Sequence, residues 1–263
     1  MLSRLALGGV AAAIVVFAAY SRRSLSLTGA IAGLSLGLIC AAAGWGWSAL
    51  LVAFFISGTV LSRYQSARKT ERIGSVVEKG GERDASQVLA NGGVFSASAL
   101  ASLITASPVW LCIGAAAIGA SAADTWATEI GVLSRHRPRS ILSRRVVSAG
   151  ESGGVTTRGT FAALFGASAM ALVAYLYDWG DPAILSALIG GIGGCTIDSI
   201  LGATVQTRRW CDRCRRHTER SIHDCGTATS VAAGLPWMTN DTVNALSSLG
   251  GAIIGFLVYM ATQ

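Results

Sequence analysis

Four acidic residues carry the chemistry of this chain. Asp124 and Glu129 lie in Ala123-Asp-Thr-Trp-Ala-Thr-Glu-Ile-Gly131, which ends an apolar run beginning near Val109. Asp198 ends a second such run, in Ile197-Asp-Ser-Ile-Leu-Gly-Ala-Thr-Val-Gln206, and Asp241 opens a third, in Asn240-Asp-Thr-Val-Asn244. An Asp at a membrane-helix centre costs about 2.5–3.5 kcal/mol. Such a residue faces a bundle interior or a wet cavity and is by default a functional group. With only three histidines in the chain, the carboxylates suit a hard cation. Mg²⁺ is held by one or two carboxylates together with substrate phosphates. The competing reading is that these acids only mark helix ends, and Asp241 has the chemistry of a plain N-cap. Asp124 and Thr128 share a helix face, whereas Glu129 points roughly 140° away and would reach a second neighbour or a second metal. Asp241 and Asn244, three apart, also share a face.

Phosphates need donors as well as a cation. Asn91-Gly92-Gly93-Val94 and Ser152-Gly153-Gly154-Val155 each stand where a span is expected to open. Free N–H groups and the helix dipole favour anions there, although flexible turns are the commoner meaning of a Gly-Gly pair. Lys79, Arg83, Arg144, Arg145 and Arg158 flank these turns, and topology alone would also account for them. Carboxylates beside anion-binding turns fit phosphoryl transfer, in which catalysis is mostly positioning and charge neutralisation. A separate cluster, Cys211-Asp-Arg-Cys214 followed by His217, His223 and Cys225, has Zn²⁺ ligand chemistry. Its expected ligand set is Cys211, Cys214, His223 and Cys225, with His217 competing. Ordinary reduced cysteines are the alternative.

The elements that must hold these groups are membrane helices. Charged residues make up 13% of the chain, against about 25% in soluble proteins, and hydrophobic residues 52%. A lipid crossing takes about 20 apolar residues. Eight such runs are expected, near 3–20, 26–43, 45–61, 87–106, 109–133, 159–177, 183–205 and 241–260. The fold class is therefore all-α: a polytopic membrane helical bundle of about eight transmembrane helices. It forms a single integral membrane domain over 1–263, with a Cys/His loop at 206–236 within it. The second and third runs meet at Gly44-Trp45-Gly46-Trp47 as a helical hairpin, whose tryptophans suit a headgroup boundary.

Twenty of the 21 Lys and Arg residues fall in 22–23, 63–83, 135–158 and 208–220, and only Arg4 lies elsewhere. Eight crossings put those four segments on one side, which the positive-inside rule makes cytoplasmic in an inner membrane, with both termini outside. The basic face also attracts anions, either lipid headgroups or nucleotide phosphates. Nucleic-acid binding is disfavoured, since no aromatic-basic platform accompanies the charge. An internal repeat is expected: Gly-Gly-Val, helix, turn, helix, carboxylate, ending first in Asp124 and then in Asp198. Small residues at 119–123 and at Gly190, Gly191, Gly193 and Gly194 would let helices approach closely enough for carboxylates of different helices to share an ion.

Taken together, Lys79-Gly-Gly-Glu-Arg-Asp-Ala-Ser-Gln-Val-Leu-Ala-Asn-Gly92, the 123–131 segment, Gly150-Glu-Ser-Gly-Gly-Val155, the 197–206 segment and Asn240–Asn244 resemble the phytyl-phosphate kinase and transmembrane protein 19 family, also called domain of unknown function 92. Leu27-Thr-Gly-Ala-Ile-Ala-Gly33 fits too, so the resemblance covers nearly the whole chain. It departs at Glu151-Ser152, where relatives tend to carry Thr-Asn. The resemblance implies an enzyme that moves a phosphoryl group from a nucleoside triphosphate, CTP first, to an isoprenoid monophosphate held in the bilayer. It implies Mg²⁺ on Asp124 and Asp198, with Glu129 and Asp241 as second choices. Asn91, Gly92, Gly93, Gly153 and Gly154 would line the phosphate path, with Asn244 beside Asp241, and Arg83 would pair with a phosphate. The rivals are a transporter using intramembrane acids, a CTP-dependent lipid-phosphate cytidylyltransferase releasing pyrophosphate, and a purely structural membrane protein.

Overall fold

The computed structural model describes residues 2–74, 76 and 81–263; Lys79 and Gly80 of the basic glycine segment lie outside them, as does the Arg4 side chain. The helices are α1 (Leu2–Ser21), α2 (Leu27–Ala43), α3 (Trp45–Arg63), the short α4 (Ser66–Ile73), α5 (Ala85–Thr105), α6 (Val109–Gly131), α7 (Thr157–Leu176), α8 (Asp181–Thr204) and α9 (Asn240–Ala261). Six of them, α3 and α5 to α9, are long and apolar enough to cross a bilayer, while Leu5–Ser21 of α1 and Leu27–Ala43 of α2 are shorter apolar segments. The eight expected runs and the eight apolar helices correspond one to one. The addition is α4, a short helix at the basic end.

Helix α6 is the axis, packed against α3, α5, α7, α8 and α9. Ala115, Ala116, Ala117, Ile118, Ala120, Ala122 and Ala123 are all fully buried. Glycines on the surrounding helices make this possible. A Cβ on Gly255 of α9 would lie 2.6 Å from the Cys112 carbonyl oxygen, and one on Gly166 of α7 would lie 2.8 Å from that of Ala122. Association in lipid lacks a hydrophobic driving force between helices, so close backbone approach and interhelical hydrogen bonds carry it. Ser121 Oγ donates to the Asn91 carbonyl (2.8 Å) and Ser186 Oγ to that of Gly255 (3.3 Å), tying α6 to α5 and α8 to α9.

The two ends of the bundle differ. At one end Gly44 (φ +151) alone joins α2 to α3, and Trp47 is buried against Phe95 (5.1 Å between rings) and Trp179 (4.7 Å). The headgroup expectation is corrected for Trp47, whose ring fills the space that Gly114 of α6 leaves open. Trp45 remains half exposed.

At the other end the four basic links fold onto one another. Ser24 and Ser26 exchange backbone hydrogen bonds with Arg83 (3.0 Å each), and the Glu219 N–H donates to the Val76 carbonyl (2.8 Å). Arg72 donates to the carbonyls of Val132 (2.9 Å) and Ser134 (2.7 Å). Two small sheets occur here. One pairs β1 (Arg139–Ser140) with β2 (Gly154–Val155); the other is three-stranded and antiparallel, from β3 (Arg208–Cys211), β4 (Arg216–Thr218) and β5 (Ser230–Ala233), in the order β4-β3-β5.

Candidate functional site

Asp124 and Asp198 hold equivalent places in two consecutive hairpins. Asp124 lies two turns before the end of α6, and Asp198 nearly the same distance before the end of α8. A Cβ on Gly194 would strike Ala120 of α6 and approach the Ser247 carbonyl of α9 (2.9 Å), so these three helices touch one turn deeper. One turn toward the basic end, the helical repeat brings Asp124, Asp198 and the Val243–Asn244 turn of α9 onto the same layer. Asp124 and Asp198 lie within electrostatic reach of each other, and both act on Cys195, one turn before Asp198 on α8. Both are half-buried. No cation pairs with either among the described residues. Asp198 Oδ2 is buried and has no hydrogen-bond partner there. An ionised oxygen left so is costly, and either a proton or a cation would relieve it.

Glu129 is placed elsewhere. On the face of α6 turned toward α3 and α4 it meets Lys69 Nζ at 2.5 Å, and Lys69 also donates to the Leu61 carbonyl (2.6 Å). The expected second neighbour of Glu129 is thus a lysine. With side chains only 9% and 22% exposed, this pair is buried enough that losing one partner is expensive. Glu129→Gln is expected to cost about 3 kcal/mol, read as thermal stability in detergent. Adding Lys69→Met should recover most of it. A Glu129→Gln protein as stable as the parent would refute the structural role.

Arg83 sits on the same side. It donates to Thr59 Oγ1 (3.3 Å), lies over the Phe55 ring (5.8 Å to its centroid) and lines an apolar groove of about 120 Å³. Val16, Leu36 and Phe55 form walls of this groove, with Asn91 and Thr125 among its polar members. Burial pulls the Arg83 guanidinium below its ordinary value, and the Glu129 charge opposes that shift.

Asp241 joins α9 to the start of α5 through Ser86, whose single hydroxyl proton is shared between Asp241 (2.7 Å) and Asp84 (2.8 Å). It is not the N-cap, a role taken by Thr239. The Asn244 side chain makes no hydrogen bond among the described residues and is half-buried, one turn before Ser247 on α9.

The glycine pairs need correction. A capping box of Asp84 and Gln87 starts α5 at Ala85, so Asn91, Gly92 and Gly93 lie well inside the helix, with their N–H groups spent on it. Gly92 instead admits Leu36 of α2, and a Cβ on Gly93 would meet nothing. Gly153 and Gly154 do form a turn, Gly153 at φ +77, but it packs on Ala203 at the end of α8. At the start of α7 one N–H group, that of Gly159, is met by the N-cap Thr156 Oγ1. The repeat therefore holds for the hairpins and their terminal carboxylates but not for the Gly-Gly-Val landmarks.

Cys211, Cys214, His223 and Cys225 bring one ligand atom each within 4.8 Å of one another. The Cys211 and Cys225 sulfurs are 3.6 Å apart, close to the roughly 3.8 Å edge of a tetrahedron with 2.3 Å Zn–S bonds. His223 is buried, its Nε2 lacking a partner among the described residues. Hydrogen bonding with Thr227 pulls the Cys225 thiol below its ordinary value while Cys214 beside it is pushed up, as expected of neighbouring thiols that share one negative charge; the thiolate is the form that binds metal. His217 stands outside the set, edge-on to Trp210 at 4.8 Å.

Two residues escape a reading by motif. Lys69 belongs to the amphipathic α4, which is too short to signal itself by periodicity. Glu219 accepts from Ser152 Oγ and Gln206 Nε2 (2.8 Å each) and acts on Asp198. Its signal is an acid inside an otherwise basic stretch.

Paired intramembrane carboxylates in a helical bundle, closed at one end by a folded Cys/His module, define a polytopic integral membrane protein with a buried polar centre. The chain belongs to the integral membrane protein family DUF92, whose profile matches residues 10–252. It is 30% identical to Protein PGR of Arabidopsis thaliana, over 98% of this chain and 96% of that one. It is 29% identical to an uncharacterised membrane protein of Methanocaldococcus jannaschii (82% of this chain, 77% of that one). A Synechocystis membrane protein is 25% identical (86% and 79%). No solved structure matches.

Proposed function

We propose that the protein is a membrane kinase that converts an isoprenoid monophosphate to its diphosphate with a nucleoside triphosphate, CTP first. The observation that carries this reading is the Asp124–Asp198 pair, with the buried Asp198 oxygen lacking a partner among the described residues. The residues fit a hard cation, and Mg²⁺ on this pair would neutralise charge on the transferring phosphoryl group. An oxygen of the isoprenoid monophosphate forms a bond to the γ-phosphorus. The β–γ bridging bond breaks, and the nucleoside diphosphate leaves with its electrons. A phosphate monoester is already anionic at neutral pH, so no general base is required of the chain. The apolar groove supports a hydrocarbon tail, and Arg83 on it supplies a cation for the substrate phosphate. The four basic links are taken as cytoplasmic by the positive-inside rule, which gives the site access to soluble nucleotide.

Depth favours an enzyme over a carrier. Transport sites lie near the bilayer midplane, whereas Asp124 and Asp198 lie roughly 6–8 Å from the middles of their helices toward the basic end, at 1.5 Å per residue. The test incubates purified protein in nanodiscs with γ-labelled CTP or ATP and a panel of prenyl monophosphates. Label in a prenyl diphosphate is the expected result. Pyrophosphate release with a cytidylyl-lipid would mean a cytidylyltransferase, and no product across the panel would sink the enzyme reading. Arg83→Met is expected to raise KM for the prenyl phosphate about tenfold or more, as befits a lost charge-assisted bond, with KM for nucleotide little changed. An unchanged prenyl-phosphate KM would remove Arg83 from the substrate site.

A further inference from the structure

A cavity of about 370 Å³ lies at the basic end, between the 148–152 turn, α4 and the three-stranded sheet. Its volume falls in the range of small-molecule sites. Arg72, Arg208, Arg215 and Arg216 line it, along with Trp210 and Glu219. Arg72 and Arg208 are committed to the scaffold, through the Val132 and Ser134 carbonyls and through Glu151 and the Ala203 carbonyl respectively. Arg208 nevertheless keeps a buried Nε without a partner among the described residues. The side chains of Arg215 and Arg216 make no hydrogen bond or ion pair among those residues. They follow directly from the Cys211–Cys214 knuckle, whose Arg215 N–H donates to the Cys211 carbonyl (2.8 Å) and whose Arg215 backbone is left-handed (φ +51). The cavity thus has in its lining two exposed arginines that are unpaired among the described residues, and the ring of Trp210.

Guanidinium groups suit phosphate oxygens, and an aromatic ring takes a nucleobase face. Glu219 lines this cavity, and its charge also acts on Asp198. We infer that this cavity, walled by Trp210 and by Arg215 and Arg216 of the Cys/His module, is where the nucleoside triphosphate binds, its polyphosphate on the two free arginines and its base against Trp210. The inference rests on the kinase reading for its ligand but concerns a different set of residues. The module then has a role of its own, as the nucleotide-binding wall of an otherwise helical enzyme.

The experiment measures binding, not turnover. Full-length protein in nanodiscs is titrated with labelled CTP by equilibrium dialysis, with inorganic triphosphate and anionic-lipid nanodiscs as competitor arms. The Arg215→Ala/Arg216→Ala double variant is expected to weaken CTP binding about 10–100-fold. Trp210→Ala should weaken it about tenfold, and Trp210→Phe should keep most of it. Thermal unfolding and thiol titration of Cys211, Cys214 and Cys225 report whether each variant keeps its module folded. In parallel, 4-thio-UTP is photo-crosslinked and the adduct mapped, with a peptide containing Trp210 expected. Unchanged CTP affinity in folded double variant, an adduct confined to other segments, or protection by anionic lipid without any CTP binding would each overturn the assignment. CTP bound at this cavity with no prenyl diphosphate formed would leave the pocket standing and remove the kinase. Diphosphate formed with unaltered nucleotide affinity in the arginine variants would do the reverse.

Discussion

Asp198→Asn is expected to lower prenyl-phosphate turnover about 10²–10³-fold, the scale on which loss of one preorganised charge-stabilising group is felt, while the bundle stays folded. The substitution is nearly isosteric. It removes a charge that sits within reach of the Asp124 charge and carries a buried oxygen without a partner among the described residues. In the absence of divalent metal the variant should therefore be as stable as the parent or more so, the usual sign where a strained functional site is relieved. Adding Mg²⁺ should reverse the order. A ligand that binds only the folded state stabilises it by about 2.7 kcal/mol at a hundredfold excess over Kd, and the parent should show that gain in thermal unfolding while the variant does not. Asp124→Asn should behave alike, since neither carboxylate has another cation among the described residues. Turnover within a few-fold of the parent, or a Mg²⁺-dependent rise in Tm that survives in both variants, would dissociate the pair from the metal. The signs matter more than the sizes here: a merely structural acid would destabilise on neutralisation and show no dependence on Mg²⁺.

The membrane helices were legible because length and hydropathy dominate their formation. The run expected at 109–133 is α6 (Val109–Gly131), and that at 45–61 is α3 (Trp45–Arg63). Asp124 and Asp198 were legible for the same reason, as charges inside runs that otherwise exclude charge. What misled was punctuation. Gly92-Gly93 suggests a helix start, yet Asp84 and Gln87 form a capping box that starts α5 earlier. That Asp-x-x-Gln signal lies in the sequence, but it competes with a more conspicuous glycine pair. Trp47 suggests an interface, yet it is a core residue because Gly114 leaves room for its ring and Gly46 leaves room for Trp179, which packs on it. The three-stranded sheet has no alternation to announce it: in Arg208-Arg209-Trp210-Cys211 two charged residues are followed by two apolar ones. Its order comes from the Cys/His cluster and from backbone contacts to Val76 and Met238, long-range relations that no local window contains.

Removing metal from the Cys/His module is expected to unfold it while leaving the bundle intact. The module has little apolar core: all four residues of β5 are exposed, and Cys211, Thr218 and His223 are its main buried side chains. A sheet this small is marginal without a further constraint, and we propose that a structural Zn²⁺ supplies it. Apparent binding energies of such sites, about 10–16 kcal/mol, are folding energies. Purified protein should carry about one zinc per chain, to be read by plasma emission spectrometry. Cys211→Ser and Cys214→Ser should each lose most of it. Chelation should expose all three module thiols to titration and make the 208–233 segment a protease target, with the helical signal in circular dichroism nearly unchanged. Because the module walls the arginine-lined cavity, chelation should also weaken CTP binding by at least as much as the Arg215→Ala/Arg216→Ala pair. His217→Ala should leave the zinc in place, since that ring packs on Trp210 outside the four ligands. Metal-free protein with the same protease pattern and thiol protection as the parent would show that the strands hold by themselves. In that case the cysteines would be ordinary reduced thiols, and the clustering of their sulfurs would have to be explained by the bonds that Cys225 donates, from its N–H to His223 Nδ1 and from its thiol to Thr227 Oγ1.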